Sequence, residues 1–179
     1  MKIAIVGSGG LGGYFGGRLA RGGEDVSFLA RGPALEAMKT TGLIVESVLG
    51  DFALDADRIQ ATADPSEIGP AEIVLVTVKA YDTETVAETI LPAILGPDTV
   101  VISLQNGIDN EDRIAARVGV EHVAGGVAYI FAGVARPGVV RHTGGPARLV
   151  VGELDGHQST RLASGIVQAQ AAALSDARA

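Results

Sequence analysis

The chain of 179 residues contains no cysteine. That excludes disulfides, thiol nucleophiles and thiolate metal sites together, and it suits a reducing compartment such as the cytoplasm. Basic charge is also short. Fourteen Lys and Arg against 21 Asp and Glu leave a net charge of -7, which argues against a nucleic-acid face and offers no patch for an anionic membrane. Long hydrophobic runs are missing. The apolar stretch after Lys2 is too short for a secretory signal, and none is long enough to span a bilayer. His122, His142 and His157 are scattered without ligand spacing, so no metal site is expected. Ser8 and Ser103 have no base placed beside them by any motif, which leaves nucleophilic catalysis unsupported. There are no internal repeats and no interior linker. A soluble, cytoplasmic chain is expected, with no membrane and no nucleic acid as partner.

What is present begins at the first residue. A short apolar strand, residues 3–6, runs into Gly7-x-Gly9-x-x-Gly12 and then a helix-like stretch to about Arg21. Dinucleotide binding needs this strand–turn–helix setting. Gly7 permits the tight turn, Gly9 lets backbone approach a pyrophosphate, and Gly12 lets helix and strand pack closely. The helix start offers unpaired N–H groups and partial positive charge to phosphates. Gly7, Ser8, Gly9, Gly10, Leu11 and Gly12 are therefore candidate cofactor residues. An ordinary βα turn is the competing reading in a chain with 25 glycines.

With 47% apolar and 20% charged residues the chain can bury a core, and its length suits one domain, or one and part of a second. Residues 25–30 read as a second strand and 36–41 as a short helix. Segments 43–48 and 52–54 flank Gly50-Asp51 as a hairpin. Residues 72–79 (EIVLVTVK) read as a buried parallel strand, followed by a helix over 83–95 with Asp82 as N-cap and Pro92 kinking or shortening its end. A further strand over 99–104 leads through Gln105-Asn106-Gly107 to a helix over 110–117. Segments 127–135, 139–142 and 149–151 read as an antiparallel edge, and residues from Gln158 as helical. The expected fold is α/β: a Rossmann-like, doubly wound, mostly parallel sheet with an antiparallel edge and helices on both faces. Ligands of such sheets lie at the carboxyl ends of the strands. The turns after residues 6, 30, 79 and 105 should therefore converge on one cleft.

A chain binding NAD usually carries Asp or Glu at the end of the second strand. Glu24 and Asp25 lie at the wrong end of it, and the correct end carries Arg31. A guanidinium there suits a 2′-phosphate, through a bond contributing roughly 1.5–3 kcal/mol. NADP(H) is thus expected over NAD(H), with a solvated surface arginine as the alternative.

The segments MKIAIVGSGGLGG, FLAR, VLVTVKAYDT, VISLQNGID and RPGVVRHTGG, in this order and covering nearly the whole chain, resemble the ketopantoate reductase family (2-dehydropantoate 2-reductases). The resemblance implies NADPH-dependent reduction of 2-dehydropantoate, a small 2-keto acid, to pantoate on the route to pantothenate and coenzyme A. It implies cofactor contacts at Gly7 to Gly12, Arg31 and Lys79, and contact of Asn106 with both the nicotinamide end and the substrate. From the residues alone, Lys79 reads equally as the first exposed residue of a loop, and Asn106-Gly107 as a turn. Tyr81-Asp82 departs from the family's Tyr/Trp-Gln, so Asp82 is read as a cap pointing elsewhere.

The resemblance also implies a general-acid lysine early in a second, mainly helical domain. Lys2, Lys39 and Lys79 are the only lysines, so no catalytic residue is expected in this chain and the family's lysine would lie beyond Ala179. Residues 1–157 are read as the NADP-binding domain, and 158–179 as a terminal helix or tail, with Ser175-Asp176, leading to that missing domain. The isolated chain is expected to be inactive and to expose an apolar face through which copies associate. A stand-alone NADP(H)-binding module or pseudoenzyme, and another two-domain keto or hydroxy acid dehydrogenase, are the alternative readings.

Overall fold

The computed structural model describes residues 1–157 and Leu162. The readings placed on residues 158–179, the terminal helix and Ser175-Asp176, lie outside the described residues.

The chain runs β1 (Lys2–Val6), α1 (Gly10–Arg21), β2 (Asp25–Leu29), α2 (Gly32–Thr40), β3 (Leu43–Ser47), β4 (Phe52–Leu54) and β5 (Gln60–Thr62). It continues through β6 (Ile73–Val76), α3 (Thr83–Thr89), α4 (Leu91–Ile94), β7 (Val100–Ser103), α5 (Asn110–Val118), β8 (Val123–Arg136) and β9 (Val139–Gly152). Among the described residues nine strands form one sheet in the order β4-β3-β9-β8-β7-β6-β1-β2-β5. Pairing is parallel from β5 to β8. It is antiparallel between β8 and β9 and between β3 and β4. This is the Rossmann-like, mostly parallel sheet that the alternation of strands and helices predicts.

Buried strands with period-2 side chains feed two cores, one on each face. Ile3 and Ile5 join Tyr14, Phe15 and Leu19 of α1 and Met38 of α2 on one face. Ala4 and Val6, with Val74 and Val76, meet Val86, Leu91, Ile94 and Ile114 on the other. Each fully buried Ile, Leu or Val contributes roughly 1.5–3 kcal/mol relative to exposure.

Several boundaries differ from the sequence reading for local reasons. The helix expected over 83–95 breaks at Ile90, because Pro92 has no N–H to give and begins the short α4 instead. The helix expected from Glu36 starts at Gly32, with Pro33 in its first turn. β6 stops at Val76, three residues short of Lys79, because the chain there leaves the ladder to line a cleft. The antiparallel pair is longer than expected, fourteen residues in each of β8 and β9. Gly144-Gly145-Pro146 does not end it but is absorbed as an irregularity opposite Tyr129 and Phe131. The edge strand on the β8–β9 side is β4, since the β3–β4 hairpin adds beyond β9 through parallel pairing with Val139 to His142. β5 was not expected from the sequence.

Candidate functional site

The strand order reverses between β1 and β6: the chain winds outward through β2 and returns on the other side of β1. Loops diverge at such a point and leave a crevice outside the carboxyl ends of the strands. Here it is a cleft of about 700 Å³. Residues of all the expected turns line it: Gly7, Ser8, Gly9, Gly10 and Leu11, then Ala30 and Arg31, then Lys79, Ala80 and Asp82, then Gln105 and Asn106. Gly12 and Gly107 do not. A further wall, not expected from the sequence, comes from β8 through Ala128, Ile130, Ala132 and Gly133. A second hollow of about 480 Å³ continues past Gln105 and Asn106.

The glycine turn is built by close approach. Gly7 has φ +105°, and a Cβ on it would stand 2.9 Å from Val78 Cγ1. A Cβ on Gly12 would fall on the Gly7 carbonyl oxygen and 2.5 Å from Thr77 Oγ1. Gly9 differs, because a Cβ there would have nothing within 4 Å; its open side belongs to the cleft. A Cβ on Gly10 would meet Ala132 O at 2.6 Å, so the start of α1 is seated against β8. Thr77 holds the turn from the next strand, its hydroxyl 2.6 Å from Gly7 O and 3.1 Å from Val6 O. No acidic residue occupies the first turn of α1, which leaves the positive end of the helix facing the cleft.

Two cations line this cleft. Arg31 caps α2 with extended backbone, is exposed, and makes no ion pair among the described residues. Lys79 is exposed and likewise makes none among the described residues. Asp82 precedes α3, as expected, but its side chain makes no cap hydrogen bond and it lies half-buried in the cleft wall. The reason is local. Asp82 ends a single helical turn at φ -94°, ψ -1°, whereas a capping side chain needs extended backbone to reach back to the following N–H groups. Lys2 and Lys39 are not among the residues lining the cleft.

The turns after β6 and β7 are tied to each other beneath the cleft. Gln105 Nε2 donates to Val78 O at 3.1 Å and to Thr83 Oγ1 at 3.0 Å. The Thr83 hydroxyl lies 2.8 Å from Ala80 O and 3.0 Å from Asn110 Oδ1. Asn110 Nδ2 donates to Asn106 O at 3.1 Å, and Ser103 Oγ donates to Gln105 Oε1 at 3.2 Å. Above this bridge the Asn106 side chain is exposed and makes no hydrogen bond among the described residues. Arg113 braces the same region from α5, donating to Ala80 O at 3.1 Å and to both Glu84 oxygens. Hydrogen bonding from Arg113, with its charge, holds the Glu84 carboxyl below its ordinary range.

Sequence reasoning missed Thr77, Thr83 and Asn110. The last two were legible only as residues near helix starts, and Thr77 only as a polar residue at the end of an apolar run. Of the histidines, His142 is buried and hydrogen-bonded to Ser47 Oγ and Gly144 O, each at 2.8 Å. Among the described residues no cluster could hold a metal ion, and no helix is long and apolar enough to cross a membrane.

A parallel sheet with its switch point at β1/β6, a glycine turn opening α1 and an open cleft at the strand ends define a Rossmann-like domain. Residues 3–156 match the ketopantoate reductase PanE/ApbA family. The chain is 40% identical over 158 residues to a 2-dehydropantoate 2-reductase of Archaeoglobus fulgidus, covering 88% of this chain and 49% of that one. It is 35% identical over 162 residues to the uncharacterized oxidoreductase YkpB of Bacillus subtilis, covering 90% and 52%. Among solved structures, 2-dehydropantoate 2-reductase from Geobacter metallireducens superposes with a TM-score of 0.89 at 35% identity, over 99% of this chain and 60% of that one. The chain belongs to the ketopantoate reductase family of oxidoreductases. It spans about half the length of the curated relatives it matches.

Proposed function

We propose that this chain is the NADP(H)-binding half of an enzyme that reduces 2-dehydropantoate to (R)-pantoate, in the cytoplasm, on the way to pantothenate and coenzyme A. The observation that carries this reading is the cleft itself. A helix start free of acid, an open Cα face at Gly9 and two cations without an ion pair among the described residues, Arg31 and Lys79, line one crevice with Asn106.

These residues fit a phosphorylated dinucleotide. The first N–H groups of α1 would neutralise the pyrophosphate, and Gly9 would let it approach the backbone. Arg31 would clamp the 2′-phosphate with a planar, permanently charged fork. Lys79 would hold the adjoining ribose or phosphate as a point charge, while Asn106 would orient the nicotinamide end and the substrate from the far side. Ser8, Gly10 and Leu11 complete the phosphate turn, and Gly12 keeps α1 close to β1. When bound, the reduced cofactor supplies a hydride to the keto carbon. The alkoxide so formed needs a proton, and a positioned acid supplies about 10²–10⁴-fold in rate. Lys79 is committed to the nucleotide, and Lys2 and Lys39 lie outside the cleft lining. The family resemblance implies a lysine of the second domain as that acid, and this chain alone is expected to bind cofactor without turning over the keto acid.

A fluorescence titration tests the reading. NADPH should bind at least about tenfold tighter than NADH, and Arg31→Ala should abolish most of that difference. Equal affinities would sink the 2′-phosphate assignment. Consumption of NADPH with 2-dehydropantoate by this chain alone would sink the assignment of the acid.

A further inference from the structure

Resting on that reading but going beyond it, we propose that Thr83 and Asn110 are positioning residues that hold Asn106 in register with the Lys79 turn. Neither side chain lines the cleft, and both are completely buried, each with 0% exposure. Buried polar groups need every partner, and an apolar pair would close the α3–α5 contact as well. Their chemistry is instead spent on the two cleft turns. Asn110 Nδ2 reaches the backbone oxygen of Asn106, and its Oδ1 faces Thr83 Oγ1. Thr83 in turn accepts from Gln105 and sits 2.8 Å from the carbonyl of Ala80, next to Lys79. The Asn106-Gly107 turn is seated directly on this amide: a Cβ on Gly107, at φ +127°, would stand 2.8 Å from Asn110 Nδ2.

Among the described residues no buried side-chain polar atom lacks a partner, so the network is fully connected. Networks of this kind specify one arrangement of the backbone they join. The consequence is that recognition of the two ends of the ligand is coupled. Lys79 meets the phosphate or ribose region and Asn106 the nicotinamide, and the distance between their turns is set by a bridge that touches neither end.

The test compares the whole dinucleotide with its adenosine part on the full 179-residue chain. Thr83→Val keeps the shape and removes the hydroxyl. It should weaken NADPH about tenfold while changing the Kd of 2′,5′-ADP less than about twofold, and Thr83→Ser should restore NADPH affinity. Asn110→Leu should repeat the pattern. Equal loss for both ligands, or no loss for either, overturns the positioning role. If Thr83→Val shows no cooperative melt, Thr83→Ala, which leaves room for a replacing water, carries the same comparison. Failure of the unchanged chain to bind either ligand overturns the nucleotide reading itself, and the positioning role with it.

Discussion

Gly9 and Gly12 sit three residues apart in one motif, yet adding a methyl group to each should have opposite consequences. At Gly12 a Cβ would land on the Gly7 carbonyl oxygen and 2.5 Å from Thr77 Oγ1. The carbonyl is backbone and cannot swing aside, so α1 must lift or the turn must open. Overpacking of this kind costs about 1–3 kcal/mol, or roughly 2–12 °C in Tm for a domain of this size. At Gly9 the position is free, φ is -71°, and nothing lies within 4 Å of the added atom. Alanine there narrows the unfolded ensemble, worth about 0.4–1 kcal/mol. It also caps a helix less well than glycine by a few tenths to about 1 kcal/mol, so the two effects nearly cancel.

Ligand affinity separates the pair differently. If the pyrophosphate packs on the Gly9 backbone, Gly9→Ala displaces it from about two charge-assisted hydrogen bonds. At about 1.5 kcal/mol each the loss is about 3 kcal/mol, or roughly a hundredfold in Kd. The expected outcome is that Gly9→Ala melts within about 2 °C of the unchanged chain but binds NADPH weakly. Gly12→Ala should lose both stability and binding. Differential scanning fluorimetry with a parallel fluorescence titration reads both quantities. Unimpaired NADPH binding by Gly9→Ala would refute the placement of the pyrophosphate, and a large fall in its Tm would refute the free space.

The Glu84 carboxyl is held below its ordinary value of 4.5 by hydrogen bonding from Arg113 and then by its charge. Its folded value is thus lower than its unfolded one, so the pair stabilises the fold above pH 4.5 and loses that contribution as the pH falls through the folded value. Glu84→Gln should flatten the acid limb of Tm against pH, and an unchanged limb would rule the pair out as its cause. Val127, Tyr129 and Phe131 of β8 are 51%, 45% and 71% exposed, an apolar strip on the face away from the cleft that should drive copies together. Sedimentation velocity should show concentration-dependent association that Phe131→Ser weakens, and a strictly monomeric boundary at all concentrations would exclude it.

Much of this was legible in the sequence because it rests on local chemistry. The run from Lys2 to Gly12 specifies strand, turn and helix with its own side chains and the lack of them. Apolar segments ending in Lys79 and Gln105 place polar residues at the carboxyl ends of buried strands, where a parallel sheet opens its crevice. Pro92 announced the end of a helix, and α3 is shortened to Thr89 before the short α4 that carries the proline. What stayed hidden was whatever needs a partner distant in the chain. Asp82 carries a capping residue's identity but the wrong backbone angles, and those follow from the turn it closes.

The sequence by itself determined the alternation of strands and helices, the glycine turn and the basic residue after β2, because periodicity and residue shape act within a few neighbours. Only the tertiary structure decided that β3 and β4 would add outside β9, where parallel pairing with Val139 to His142 had no sequence signal. It alone placed β8 as a wall of the cleft and drew Thr77 onto the carbonyls of Val6 and Gly7, some seventy residues away. It alone joined Thr83 to Asn110 across 27 positions. Such contacts are decided when whole elements pack, since a buried hydroxyl or amide takes the partner that the assembled layers bring within reach.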